Sequence, residues 1–160
     1  MFGIYSSTDN TIYNYDPEVS IVEGTDGNDE IHNSSDTENV TVNAGKGDDF
    51  IYNYGNGAYI SGSEGADYIS NEGENVTING GKGDDEFHTD YSSGNVFIYA
   101  SGDGNDYIGN YHSNDTISII KGSIDNISID GYNVVLTVNE GSITLEGAID
   151  KPINVLQNDK

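Results

Sequence analysis

An apolar residue returns about every nine positions along most of this chain. Ile12, Ile21, Ile31, Val42, Ile51, Ile60, Ile69, Ile78, Phe87, Ile98, Ile108 and Ile117 form the ladder. No helix has that period. It suits a coil with two halves per revolution, each a six-residue turn and a three-residue strand. One revolution then takes about 18 residues, close to the repeat length of a solenoid. Phe50-Ile51-Tyr52, Tyr59-Ile60-Ser61, Tyr68-Ile69-Ser70 and Val76-Thr77-Ile78 are β-branched and aromatic, as strands prefer. Alternation should turn each central Ile inward and its neighbours outward. The chain has two Pro and 21 Gly, which fits stacked strands joined by tight turns.

The turns carry a second pattern. Gly80-Gly81-Lys82-Gly83-Asp84-Asp85-Glu86-Phe87-His88 reads G-G-x-G-x-D-x-U-x, with U a large apolar residue. That nonapeptide is the calcium-binding repeat of parallel β-helices. Weaker copies lie at 24–32, 44–52, 62–70 and 101–109. Asp29, Asp49, Asp67, Asp85 and Asp106 stand two residues before every second rung. Val19, Val40, Ala58, Val76 and Val96 take that place on the alternate rungs. One edge of the solenoid should therefore be lined with Asp and the opposite edge not. Ca²⁺ takes six to eight oxygen ligands, more than one such loop supplies. Loops stacked about 4.8 Å apart can share an ion. Five loops predict a single column of about four ions, with Asp9-Asn10 as an imperfect additional loop.

Charge points the same way. The 160 residues hold 28 acidic side chains against five basic ones, a net charge of −23, and only 34% are hydrophobic. Such a composition borders on disorder, and its carboxylates repel each other in a compact state. A divalent cation would relieve both problems. Five basic residues cannot neutralise a phosphate backbone, which argues against nucleic acid. The absence of Cys excludes disulfides and thiolate metal sites. No apolar run reaches the length of a membrane span. Met1-Phe2-Gly3-Ile4-Tyr5 lacks the charged start and apolar core of a signal peptide.

From about Ser113 the repeat fades. Segments 115–119, 125–129, 133–138 and 142–145 read as strands, with Asp130-Gly131 and Glu140-Gly141 as tight-turn signals. The expected fold is all-β. Residues 1–112 would form a right-handed parallel β-roll, a β-solenoid, and 113–160 a C-terminal antiparallel β cap. Such a cap would cover the open edge of the last coil. Residues 150–160 are expected to fray.

The segment from about 24 to 109 resembles the repeats-in-toxin (RTX), haemolysin-type β-roll of exported bacterial toxins, proteases, lipases and adhesins. The resemblance implies Asp29, Asp49, Asp67, Asp85 and Asp106 as side-chain ligands of calcium. It implies carbonyl ligands among Gly24, Asp26, Gly27, Gly45, Gly47, Gly62, Glu64, Gly65, Gly81, Gly83, Gly102 and Gly104. It also implies disorder without calcium, folding outside the cell, type I secretion, and a secreted or cell-surface location. Departures are visible: Ala44 and Ser101 replace the first Gly of their loops, and Thr25 and Ser63 the second. Family members often carry calcium loops on both edges, whereas here one edge lacks them.

Asp48, Asp84 and Asp103 flank the ligand positions and read as solvated or outer residues. The three histidines, His32, His88 and His112, lie far apart and read as surface residues. Tyr52, Tyr54, Tyr59, Tyr68, Tyr91, Tyr99, Tyr107 and Tyr111 read as packing over the outer sheet surface; a carbohydrate-binding face is the alternative. Thr41, Tyr59, Thr77 and Phe97 interrupt any regular array of the kind that ice binding needs. No catalytic motif occurs, so no enzymatic activity is expected. Two further readings remain open: a calcium-rigidified adhesin module binding a glycan or surface, and the non-catalytic tail of a secreted hydrolase.

Overall fold

A computed structural model describes residues 4–6 and 10–157 of the chain. The strands, in order, are β1 (Ile4–Ser6), β2 (Thr11–Asn14), β3 (Ile21–Glu23), β4 (Glu30–Asn33), β5 (Thr41–Lys46), β6 (Phe50–Asn53), β7 (Tyr59–Glu64), β8 (Tyr68–Asn71) and β9 (Thr77–Lys82). They continue as β10 (Glu86–His88), β11 (Val96–Ala100), β12 (Asn105–Gly109), β13 (Thr116–Lys121), β14 (Ile124–Asp130), β15 (Asn133–Val138), β16 (Gly141–Leu145) and β17 (Asn154–Gln157). Among the described residues there is no helix.

The chain winds between two sheets as a parallel β-solenoid of about six turns. One sheet has ten strands, in the order β1-β2-β4-β6-β8-β10-β12-β16-β15-β14. The other has seven, in the order β17-β13-β11-β9-β7-β5-β3. Ile31, Ile51, Ile69, Phe87 and Ile108 stack in register in the first sheet. Val42, Ile60 and Ile78 do so in the second. All are at most 2% exposed, so two facing ladders form the core. Burying each such side chain contributes about 1.5–3 kcal/mol.

Two expected rungs are displaced by one residue. Val22, not Ile21, pairs with Val42 and is buried, while Ile21 is 54% exposed. Phe97, not Ile98, pairs with Ile78 and Ile117. Its ring lies 5.7 Å from that of Phe87 across the core. Adjacent apolar residues leave the choice of face to the length of the preceding turn, and a one-residue slip exchanges the faces. Phe97 therefore does not interrupt the outer surface.

The C-terminal segment carries the expected antiparallel strand set and also extends the coil. Only β14, β15 and β16 pair antiparallel with one another. β16 also continues the coil by pairing parallel with β12, and β13 pairs parallel with β11. Residues expected to fray instead form β17, parallel to β13, where Asn154 Nδ2 donates to the carbonyls of Ser113 and Asp115. The two hairpin turns fall where Asp130-Gly131 and Glu140-Gly141 place them.

The turns leaving the ten-stranded sheet enclose an asparagine ladder. Asn14 Nδ2 donates to Asn33 Oδ1 at 2.9 Å, Asn33 to Asn53 at 2.8 Å, and Asn53 to Asn71 at 2.7 Å. All four are at most 1% exposed. Asn53 and Asn71 also exchange hydrogen bonds with the backbone of Gly55 and Gly73. These amides fill the edge opposite the five-Asp column, where Asp115 is also buried and accepts the Asn95 N–H at 2.9 Å.

Candidate functional site

The five Asp-bearing loops all run from the seven-stranded sheet to the ten-stranded sheet, so they stack along one edge. Asp29, Asp49, Asp67, Asp85 and Asp106 come together there as consecutive rungs, each at most 4% exposed. The N–H of each Asp donates to Oδ1 of the Asp in the next coil. Asp29 reaches Asp49 at 2.8 Å, Asp49 reaches Asp67 and Asp67 reaches Asp85 at 2.9 Å, and Asp85 reaches Asp106 at 3.2 Å.

The second carboxylate oxygen has a different fate. Oδ2 of Asp49, Asp67 and Asp85 is buried and accepts no hydrogen bond. In Asp67 and Asp85 it lies over the first Gly of its own loop, where a Cβ on Gly62 or Gly80 would meet it at 2.0 Å. A buried carboxylate oxygen without a donor is costly unless a cation compensates it. Burial, with the neighbouring carboxylates adding to it, raises Asp49 and Asp67 to about 7. Burial likewise raises Asp85 to about 6 and Asp106 to about 8.

The backbone supplies further oxygens. The carbonyls of Thr25, Gly47, Ser63, Gly65 and Gly83 point along the stack at the next loop, where a Cβ on Gly45, Gly65, Gly81, Gly83 or Gly104 would come within 2.2 Å of them. The carbonyls of Ala44 and Gly80 point the opposite way, toward Gly24 and Gly62. Oxygens from both neighbouring loops thus face the space between them. Gly65 and Gly83 also take left-handed backbone, with φ of +137° and +143°, which a Cβ disfavours.

The remaining predicted positions are placed as follows. The Glu64 carbonyl accepts the Gly47 N–H at 2.8 Å and so ties two coils together. Asp26 projects outward, with its carboxylate 4.0 Å from Lys46 Nζ and 88% exposed. Gly27 donates its N–H to Thr25 Oγ1. Gly102, at φ +100°, has open space where a Cβ would stand. Asp9 lies outside the described residues.

Asp48 and Asp84 have a role the sequence reading missed. Asp48 Oδ1 accepts the Ala66 N–H at 2.9 Å, and Asp84 Oδ1 accepts the Asn105 N–H at 2.7 Å. Asn28 does the same for Asp48. This outer ladder runs opposite in direction to the inner Asp ladder, so each loop is held by its neighbours on both sides. The signal was present as Asn or Asp at the fifth place of those three loops.

No protein-family profile matches the chain, and no curated protein matches it. Among solved structures, the extracellular lipase LipA from Serratia marcescens superposes with a TM-score of 0.51 at 16% sequence identity. The match covers 87% of this chain and 40% of the lipase chain. That likeness shows the fold. This chain spans well under half the length of the lipase.

Among the described residues no three His, Asp, Glu or Cys side chains converge as a ready-made metal cluster. An ion at this edge would therefore rest on carbonyls from two loops and the unpartnered Asp oxygens. Hard oxygen donors of this kind suit Ca²⁺ rather than a soft transition metal. The histidines sit elsewhere. His32 stacks between Tyr13 and Tyr52, with ring centroids 4.8 Å away on each side, and bonds Glu30 at 2.8 Å. His88 bonds Glu86 at 2.6 Å and leans on Tyr68. These rings cover one another's faces on the outer sheet surface. Tyr99 and Tyr111, expected on the outside, are buried.

Proposed function

We propose that this chain is a calcium-binding β-roll of the RTX kind, which folds when Ca²⁺ fills the Asp edge outside the cell. It would serve as a folding, export or spacer module of a secreted bacterial protein. The observation that carries the reading is the repeated buried, unpartnered Oδ2 of Asp49, Asp67 and Asp85, which in Asp67 and Asp85 lies over the first Gly of its loop. One unsatisfied carboxylate would be an accident; three in register are a column built for cations. The net charge of −23 supports the same conclusion, since an acidic chain gains most from binding divalent ions. Because the oxygens converge only when the coils stack, binding free energy becomes folding free energy.

Calorimetric titration of chelator-treated protein tests the reading. Ca²⁺ should bind with a large ordering signature, and Mg²⁺, which demands a small octahedral site, should not replace it. Absence of calcium binding at millimolar concentration would rule the reading out.

A further inference from the structure

The Asp column is closed at both ends by hydroxyl groups of the protein. At the N-terminal end, Asp29 Oδ2 accepts the Thr25 N–H at 2.6 Å and the Thr25 Oγ1–H at 2.9 Å. This is the atom left without a donor in Asp49, Asp67 and Asp85. The unpartnered oxygen of Asp29 is Oδ1, which in the later rungs accepts the N–H of the preceding coil. The loop itself is shaped differently. Its counterparts hold Gly45, Ser63, Gly81 and Gly102 at positive φ in the second place, and Gly47, Gly65, Gly83 and Gly104 in the fourth. Neither Thr25 nor Gly27 adopts that conformation.

At the C-terminal end, the Gly104 carbonyl is the counterpart of the Gly47, Gly65 and Gly83 carbonyls that face the next loop. It accepts the Tyr99 hydroxyl at 2.5 Å and the Ser142 N–H at 3.0 Å. Tyr99 is 1% exposed, and its hydroxyl fills the place where a Cβ on Gly141 would stand, at 2.1 Å. The next coil begins there with β16 and has no glycine loop to offer.

Building on the calcium reading above, we infer that Thr25 and Tyr99 are end plugs that fix the column at three ions. These occupy the three spaces between the loops of Asp49, Asp67, Asp85 and Asp106, while the 24–29 loop is a metal-free cap. That is fewer than the loop count alone predicts. The Thr25 hydroxyl and amide satisfy the Asp29 oxygen that corresponds to the one left for a cation in its neighbours, although Asp29 Oδ1 stays buried without a donor.

Native mass spectrometry of the full chain at saturating Ca²⁺ tests the inference. Wild type should hold three ions and Asp29→Asn still three, while Asp67→Asn should hold fewer. Thr25→Gly should hold four; if it fails to fold, the Asp29→Asn comparison decides alone. Four ions in wild type falling to three in Asp29→Asn would overturn the Thr25 plug. Four ions in both would overturn the Tyr99 closure. No bound calcium in wild type would defeat the calcium reading itself.

Discussion

The N–H of Asp67 donates to Oδ1 of Asp85 at 2.9 Å, while Oδ2 of each carboxylate is buried without a donor. One oxygen therefore ties neighbouring coils together and the other has no hydrogen-bond partner. The fold brings carboxylates into a buried file, which sets its response to protons and, on the calcium reading, to metal.

Without metal, the file should make acid stabilising. The carboxyls of Asp49, Asp67, Asp85 and Asp106 lie at about 7, 7, 6 and 8 in the fold, against about 3.9 in the unfolded chain. The folded state therefore binds more protons between about pH 4 and pH 8. The resulting stability is fully present below about pH 4 and is lost as pH rises through the folded values. In chelator, the folded fraction read by circular dichroism should be greatest near pH 5 and fall away toward neutral pH, where the metal-free chain is disordered, and saturating Ca²⁺ should keep it folded across that range. A metal-free folded fraction that rises over the same range would contradict this.

Asp67→Asn should shift two properties in opposite directions. The amide keeps an oxygen for the Asp49 N–H but removes a buried charge. The metal-free folded fraction should fall less steeply as pH rises from 5, whereas the calcium concentration at the folding midpoint should increase about tenfold or more, a change of about 1.4 kcal/mol. Asp26→Asn alters an exposed carboxylate and should move stability by less than about 0.5 kcal/mol. Denaturant and calcium titrations of both variants measure this.

The displaced rungs make a sharp packing test. With calcium bound, Phe97→Ala should cost about 3–5 kcal/mol in chemical denaturation, because it empties the space facing Phe87. Ile21→Ala, at an exposed site, should cost less than about 1 kcal/mol. Equal losses would place Ile21 in the core and refute the register.

Asn53→Ala should be among the most damaging changes away from the Asp edge. Asn53 accepts from Asn33 and donates to Asn71 and the Gly55 carbonyl. Its removal strands buried partners at about 1–3 kcal/mol each. The loss should persist at saturating Ca²⁺, unlike that of Asp67→Asn.

Much of this was legible in the sequence because the repeat couples two signals. Ile51, Ile60, Ile69 and Ile78 fix the strands, and Asp49, Asp67 and Asp85 fix the edge, at spacings that leave one solution. Where coils lengthen, identity alone fails: Phe97 and Ile98 are both apolar, and only the turn before them decides which enters the core. Asn14, Asn33, Asn53 and Asn71 recur two residues after their rungs, but asparagine after a strand also reads as an ordinary turn residue. β17 has no repeat signal; β13 offers it an open edge and Asn154 anchors it. The closure of Asp29 by Thr25 appeared in the sequence only as a departure from the glycine pattern.

Far-UV circular dichroism during a calcium titration of chelator-treated protein at neutral pH tests the central claim most directly. A disordered spectrum that converts cooperatively to β-structure as Ca²⁺ reaches the millimolar range is the predicted result. An equally β-rich spectrum in chelator and in calcium would contradict the account, because the Asp edge would then fold without a cation.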